Sequence, residues 1–101
     1  MKTTGEIIRE QREAKGLLLR QVAGQLDVDV AILSKIERSE RTATRQQVIK
    51  LAEILKLNED NLLIQYLSEK IAYEIADEDL ANEALKVAEE RVAYLKANKK
   101  K

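Results

Sequence analysis

Apolar residues along this chain fall three and four positions apart, the repeat of helices that bury one face. The organising stretch is Leu17 to Glu40. In it Val22 and Leu26 stand four apart with Ala23 beside them, and Leu33 and Ile36 stand three apart. Between these stripes lies Leu26-Asp27-Val28-Asp29, where Val28 plugs a tight turn and Asp29 is placed to N-cap the second of two short helices. Upstream, Ile7, Ile8 and Ala14 give a thinner stripe. It predicts a first helix capped by Thr3 or Thr4, with Glu6 near its positive end, running to about Lys15 and stopping at Gly16. Downstream, Thr44-Arg45-Gln46-Gln47 reads as a capping box. Val48, Leu51, Ala52 and Leu55 then follow at core spacing, and the helix ends near Lys56 with Leu57 over the corner.

Asn58 predicts the cap of a fifth helix. Its apolar residues (Leu62, Leu63, Ile64, Tyr66, Leu67, Ile71, Ala72, Tyr73 and Ile75) are too many for one face, so burial on two sides is expected. Asp77-Glu78-Asp79 reads as another start, with Asp77 as cap. The last helix, about 79–97, carries Ala81, Leu85, Ala88, Val92 and Leu95 at heptad spacing, flanked by Leu80, Val87 and Tyr94. Two repeats are too few for a free-standing coiled coil, so the seam must dock. Leu85, Ala88, Val92 and Leu95 are the expected dimer interface. The expected organisation is residues 1–68 as the main domain, 69–98 as a helical dimerisation extension, and 99–101 as a disordered basic tail.

Composition narrows the class. With 101 residues, 36% charged, no Pro, no Cys and three Gly, the chain has room for one modest core and reads as all-α with short turns. Histidine and cysteine are absent, and no glycine loop could cradle a phosphate, so an enzyme, a metal centre or any cofactor is not expected. No apolar run approaches ~20 residues and no signal-peptide pattern opens the chain, so a cytoplasmic protein with no membrane partner is expected. Net charge is zero but unevenly spread. Residues 1–57 hold 11 Lys/Arg against 8 Asp/Glu, and residues 58–101 hold 7 against 10. The amino-terminal part is therefore the plausible nucleic-acid side.

The central stretch resembles the helix-turn-helix of Cro/lambda-repressor-like (XRE) transcriptional regulators, whose usual run is KGLSQEELAEKLGVSRSTISKIERGER. The resemblance is carried by Lys15-Gly16-Leu17, Val22-Ala23, Leu26, Val28 and Leu33-Ser34-Lys35-Ile36-Glu37-Arg38, with Ser39 in place of Gly and then Glu40-Arg41. It covers roughly residues 5 to 66, and the SKIER segment at the correct offset makes it specific. It implies an all-α, lambda-repressor-like five-helix DNA-binding domain, here with a C-terminal helical extension. It also implies that Arg12 pairs with Glu37. Three departures stand out. Gln11 replaces a common Leu, which should loosen the first helix. Leu18 stands where a Ser/Thr cap is usual, and Leu19 where many relatives place a DNA-contacting Gln, so both are expected to face outward.

On this resemblance the second helix of the pair reads bases near its amino end. Val30, Ala31, Ser34 and Lys35 are the expected groove-facing residues. Lys35 suits guanine O6/N7, Ser34 either kind of base edge, and Val30 and Ala31 thymine methyl groups. Arg38, Arg41 and Arg45, with backbone N–H groups around Thr42, are expected to grip phosphate, and Arg20 to add a further contact. The expected partner is double-stranded DNA bound by a homodimer at a pseudo-palindromic operator. The small size and helical extension resemble controller proteins of restriction–modification systems. An antitoxin that binds a protein partner, and an adaptor that has lost DNA binding, are the alternatives.

Overall fold

Six helices form, with no strand among residues 1–99, which are those the computed structural model describes. They are α1 (Thr4–Ala14), α2 (Leu19–Leu26), α3 (Val30–Glu37), α4 (Arg45–Leu55), α5 (Glu59–Ile75) and α6 (Ala81–Ala97). Residues 100 and 101 of the expected basic tail lie outside the described residues. The chain divides into two compact units, one of Met1–Lys70 and one beginning at Ile71.

In the first unit the starts are chemical. Thr3 Oγ1 accepts from the Glu6 N–H while Glu6 accepts from the Thr3 N–H, a reciprocal box at α1. The expected box at α4 forms between Thr44 and Gln47, and Asn58 Oδ1 accepts from the Asn61 N–H at the start of α5. At α2 only half a box exists. Gln21 accepts from the Leu18 N–H at 2.7 Å, but a leucine side chain has no acceptor to return.

The ends share one backbone device. Gly16, Asp27, Ser39 and Lys56 have φ of 68°, 63°, 62° and 57°. Each closes a Schellman pair: Leu17 to Arg12 O, Val28 to Ala23 O, Glu40 to Lys35 O, and Leu57 to Ala52 O. Three of these four left-handed residues are not glycine. The residue after three of the turns is apolar (Leu17, Val28 and Leu57) and packs against the core.

α1 and α2 each pack on both α3 and α4. Ile8, Val22, Leu33, Val48, Leu51 and Leu55 are fully buried, and Leu26, Ile36, Leu62, Leu63 and Tyr66 nearly so. Burying a residue of this size contributes roughly 1.5–3 kcal/mol. Gly5 lets α1 approach α3. A Cβ there would run into the Ile36 carbonyl oxygen and lie 2.9 Å from that of Glu37. α1 is also tied at its start, where Glu69 accepts from the Thr4 N–H, Gln65 donates to the Lys2 carbonyl, and the Thr3 and Ser39 hydroxyls meet at 2.7 Å. These ties hold the helix despite Gln11.

Several expectations are corrected. Asp29 takes the extended N-cap conformation of α3, but its carboxylate makes no capping bond. The left-handed closure at Asp27 and the packing of Val28 set the entry instead. Leu19 is half-buried against the core, while Leu18 stays exposed. α5 buries one side only. Leu62, Leu63 and Tyr66 point inward, and Ile64, Leu67, Ile71 and Tyr73 are exposed. α6 starts at Ala81 behind Leu80, with no side-chain cap, and Asp77 does not cap it. The turn bonds Glu78 to Ile75 O and Ala81 to Glu78 O carry the chain past the acidic triplet before the helix begins.

Candidate nucleic-acid interface

α3 is a two-turn helix with sharply different sides. Leu33 and Ile36 are buried, and Ile32 packs partly against the core. At 3.6 residues per turn, Val30, Ala31, Ser34 and Lys35 share the opposite arc of roughly 140°. Val30, Ala31 and Lys35 are exposed, and Ser34 is half-buried. The Asp29 side chain makes no capping bond to the first N–H groups of α3.

The helix is fixed from behind by an ion pair. Arg12 Nε donates to Glu37 Oε2 at 2.7 Å and Nη2 to Oε1 at 3.0 Å, while Nη1 donates to the Leu17 carbonyl at 2.9 Å. The side chains retain 12% and 4% exposure, so this fork is mostly out of water. Hydrogen bonding to Glu37 holds the Arg12 pKa above the ordinary arginine value against the opposing effect of burial, and the cation is permanent. The expected Arg12–Glu37 pair thus forms. It clamps α1, the turn before α2, and the end of α3 into one body.

Cations stand on α3 and on the segments next to it in the chain. Arg20 lies in the first turn of α2 and Lys35 on α3. Arg41 and Thr42 occupy the loop after α3, and Arg45 opens α4. All five residues are exposed. Among the described residues Arg20, Lys35, Arg41 and Arg45 make no side-chain ion pair, which leaves their donors available.

Arg38 differs. Its Nε and Nη2 donate to the two Glu40 oxygens at 2.8 and 3.2 Å, and its Nη1 donates to Ser34 Oγ. This hydrogen bonding lowers the Glu40 pKa and raises that of Arg38. Two residues expected to act separately, Ser34 on bases and Arg38 on phosphate, are joined. Since Ser34 Oγ accepts from Arg38, its own proton remains free to donate to an acceptor such as purine N7 or thymine O4. Sequence reasoning missed Glu40. The available signal was a carboxylate two residues after Arg38, across a left-handed turn that a non-glycine residue concealed.

The expected dimer residues Leu85, Ala88, Val92 and Leu95 lie on α6, a helix with no buried residue in the single chain. No group of acidic, His or Cys residues able to hold a metal occurs among the described residues, and no helix there is long and apolar enough to cross a membrane.

The helix-turn-helix family matches residues 8–62. Among solved structures, the chain is similar to the clp gene regulator ClgR from Corynebacterium glutamicum, at 28% identity and TM-score 0.57, covering 78% of this chain and 83% of that one. It is also similar in fold to the structure of the SinR protein/SinI protein complex, at 24% identity and TM-score 0.56, covering 98% and 100%. No curated protein sequence matches. The fold is thus all-α and lambda-repressor-like, followed by a C-terminal helix, and the family and its regulator neighbour point to a non-enzymatic role.

Proposed function

Given that this chain belongs to the XRE-type helix-turn-helix family of DNA-binding transcriptional regulators, we propose that it acts as a homodimer on a pseudo-palindromic operator, in the manner of a restriction–modification controller protein. The observation that carries this reading is α3 itself. It presents Val30, Ala31, Ser34 and Lys35 on one arc, braced by Arg12–Glu37 and bordered by cations that have no ion-pair partner among the described residues. Lys35 donates to guanine, Val30 and Ala31 meet thymine methyl groups, and Ser34 donates its remaining proton. Arg20, Arg41 and Arg45, with the N–H groups around Thr42, hold phosphate. The α6 seam of Leu85, Ala88, Val92 and Leu95 joins two copies so that their recognition helices lie about one DNA turn apart.

Binding selection from a random duplex library, followed by repeat selection with Lys35→Ala, tests the assignment. Lys35→Ala relaxes the preference at one guanine position per half-site, at a cost of ~1–3 kcal/mol. Arg41→Ala or Arg45→Ala instead weakens all sequences alike and lowers the slope of log affinity against log salt by about one for each phosphate no longer neutralised. A consensus unchanged by Lys35→Ala would mean that the reading face is elsewhere.

A second reading, an antitoxin held by a protein partner, is favoured by the exposed apolar residues Ile64, Leu67 and Ile71 of α5. In the SinR/SinI complex a chain of this fold is held with a second protein. A stable complex of defined stoichiometry with a copurifying protein, in place of a homodimer, would favour that reading.

A further inference from the structure

The four Schellman turns of the first unit are not equivalent. Leu17, Val28 and Leu57 follow three of them and pack against the core, so those side chains serve the fold. The corresponding residue of the fourth turn, after Ser39, is Glu40. Its N–H closes on the Lys35 carbonyl as the others close on theirs, and this returns the side chain alongside the last turn of α3. There the carboxylate takes two bonds from Arg38, and the third guanidinium nitrogen reaches Ser34. The Arg38 and Glu40 side chains retain 49% and 54% exposure, and such a pair contributes little to stability. The turn therefore sets a carboxylate on one cation of the proposed DNA face, where a core residue would otherwise stand.

Building on the proposed DNA-binding function, we propose that Glu40 is a specificity-determining positioning residue, which holds Arg38 on Ser34 and withholds it from general phosphate contact. A guanidinium already neutralised by a two-bond carboxylate releases no counterion from DNA unless that pair breaks. Arg20, Arg41 and Arg45 have no such restraint among the described residues. Arg38 is thereby removed from the sequence-independent attraction that every duplex shares, while Ser34 stays oriented on the reading arc. The result is weaker binding to unrelated DNA and a larger ratio of operator to non-operator affinity. Hydrogen bonding to Arg38 is the main influence that favours the Glu40 carboxylate, and the Lys35 charge adds a smaller one.

The test uses the full-length protein as wild type, Glu40→Gln, Arg38→Ala, and the double variant Glu40→Gln/Arg38→Ala. Each is titrated at salt concentrations from about 50 to about 200 mM with the duplex selected by wild type and with an unrelated duplex of equal length. Thermal midpoints should agree, since both side chains are exposed. On the unrelated duplex, Arg38→Ala leaves the Glu40 carboxylate without its partner and is expected to show a salt slope no steeper than that of wild type. Glu40→Gln should steepen the wild-type slope by about 0.9 per protomer, a greater loss of affinity across that salt range by roughly 3.5-fold for one protomer and about 12-fold for a dimer. The double variant should return to the wild-type slope, and the operator to non-operator ratio should fall in Glu40→Gln. An unchanged slope in Glu40→Gln, or a double variant as steep as Glu40→Gln, overturns the proposal. If wild type retains no duplex at any salt, the DNA-binding reading falls and takes this role with it, a result distinct from binding that is indifferent to Glu40.

Discussion

Glu37 keeps 4% of its side chain exposed at the end of α3, and a carboxylate so placed is tolerated only while its partner remains. Arg12 supplies that partner through two donors and commits a third to the Leu17 carbonyl, the acceptor next to the left-handed Gly16. Arg12→Ala should therefore cost about 3 kcal/mol in chemical denaturation, most of it the penalty of an unpaired buried anion. Arg12→Ala combined with Glu37→Gln should recover part of that loss, and a double-mutant cycle without coupling would count against the pair as the brace of α3. Ser39 offers a second test at this scale. It occupies the left-handed position where the usual family run has Gly, and its hydroxyl meets that of Thr3. Ser39→Gly and Ser39→Ala both remove that hydroxyl, but only alanine keeps the Cβ that opposes a positive φ. The glycine variant should be the more stable of the two by roughly 1 kcal/mol. Equal midpoints would show that the turn carries no such strain.

At the scale of elements, legibility follows from how local each signal is. The Thr44–Gln47 box, the Asn58 cap and the α4 stripe each depend on residues within two turns, and all are readable in the sequence. Asp29 and Asp77 carry the right residue type, yet neither caps by side chain, because neighbouring turn closures set where α3 and α6 begin. The apolar content of α5 predicts two buried sides, and only one forms. Sequence records that Ile64, Leu67 and Ile71 are apolar, but not whether this chain or another covers them. The outward arc of α3 is legible because helix periodicity assigns Val30, Ala31, Ser34 and Lys35 to it once Leu33 and Ile36 are inward. The Glu40–Arg38–Ser34 cluster is not, since two residues of separation never share a helix face and only the left-handed Ser39 brings them together. The same locality gives α1 a pH signature. Hydrogen bonding to the Thr3 backbone, with a smaller contribution from its side chain, lowers the Glu6 pKa below its ordinary 4.5. A depressed carboxylate stabilises the fold above its unfolded pKa, and that contribution is lost as pH falls through the lower folded value. Stability should decline on acidification below about pH 4.5 less steeply in Glu6→Gln than in wild type. Identical acid limbs would show that the ionised state of Glu6 contributes nothing to stability.

For the whole molecule, the proposed homodimer turns on how many α3 helices reach DNA together. A single α3 is two turns long and presents four side chains on its reading arc, and such a module alone grips an operator weakly. Joining two copies makes the second half-site encounter intramolecular, which raises overall affinity by roughly 10²–10⁴ with the same set of DNA interactions per copy. α6 has the chemistry for that joint: Leu85, Val92 and Leu95 are 39%, 51% and 64% exposed in one chain, at a spacing that lets two helices interlock. A charge placed in the seam, as in Leu85→Asp or Val92→Asp, should yield monomers in sedimentation velocity. The reading arc is untouched by either change, so Lys35-dependent base preference should persist while operator affinity drops by that avidity factor and binding isotherms lose their dependence on dimerisation. Cross-linking the two copies through an engineered C-terminal linker should restore the affinity, since the defect is one of valency and not of recognition. If Val92→Asp still sediments as a tight dimer with unimpaired operator binding, the joint lies outside the seam, and the exposed Ile64, Leu67 and Ile71 of α5 become the surface to disrupt.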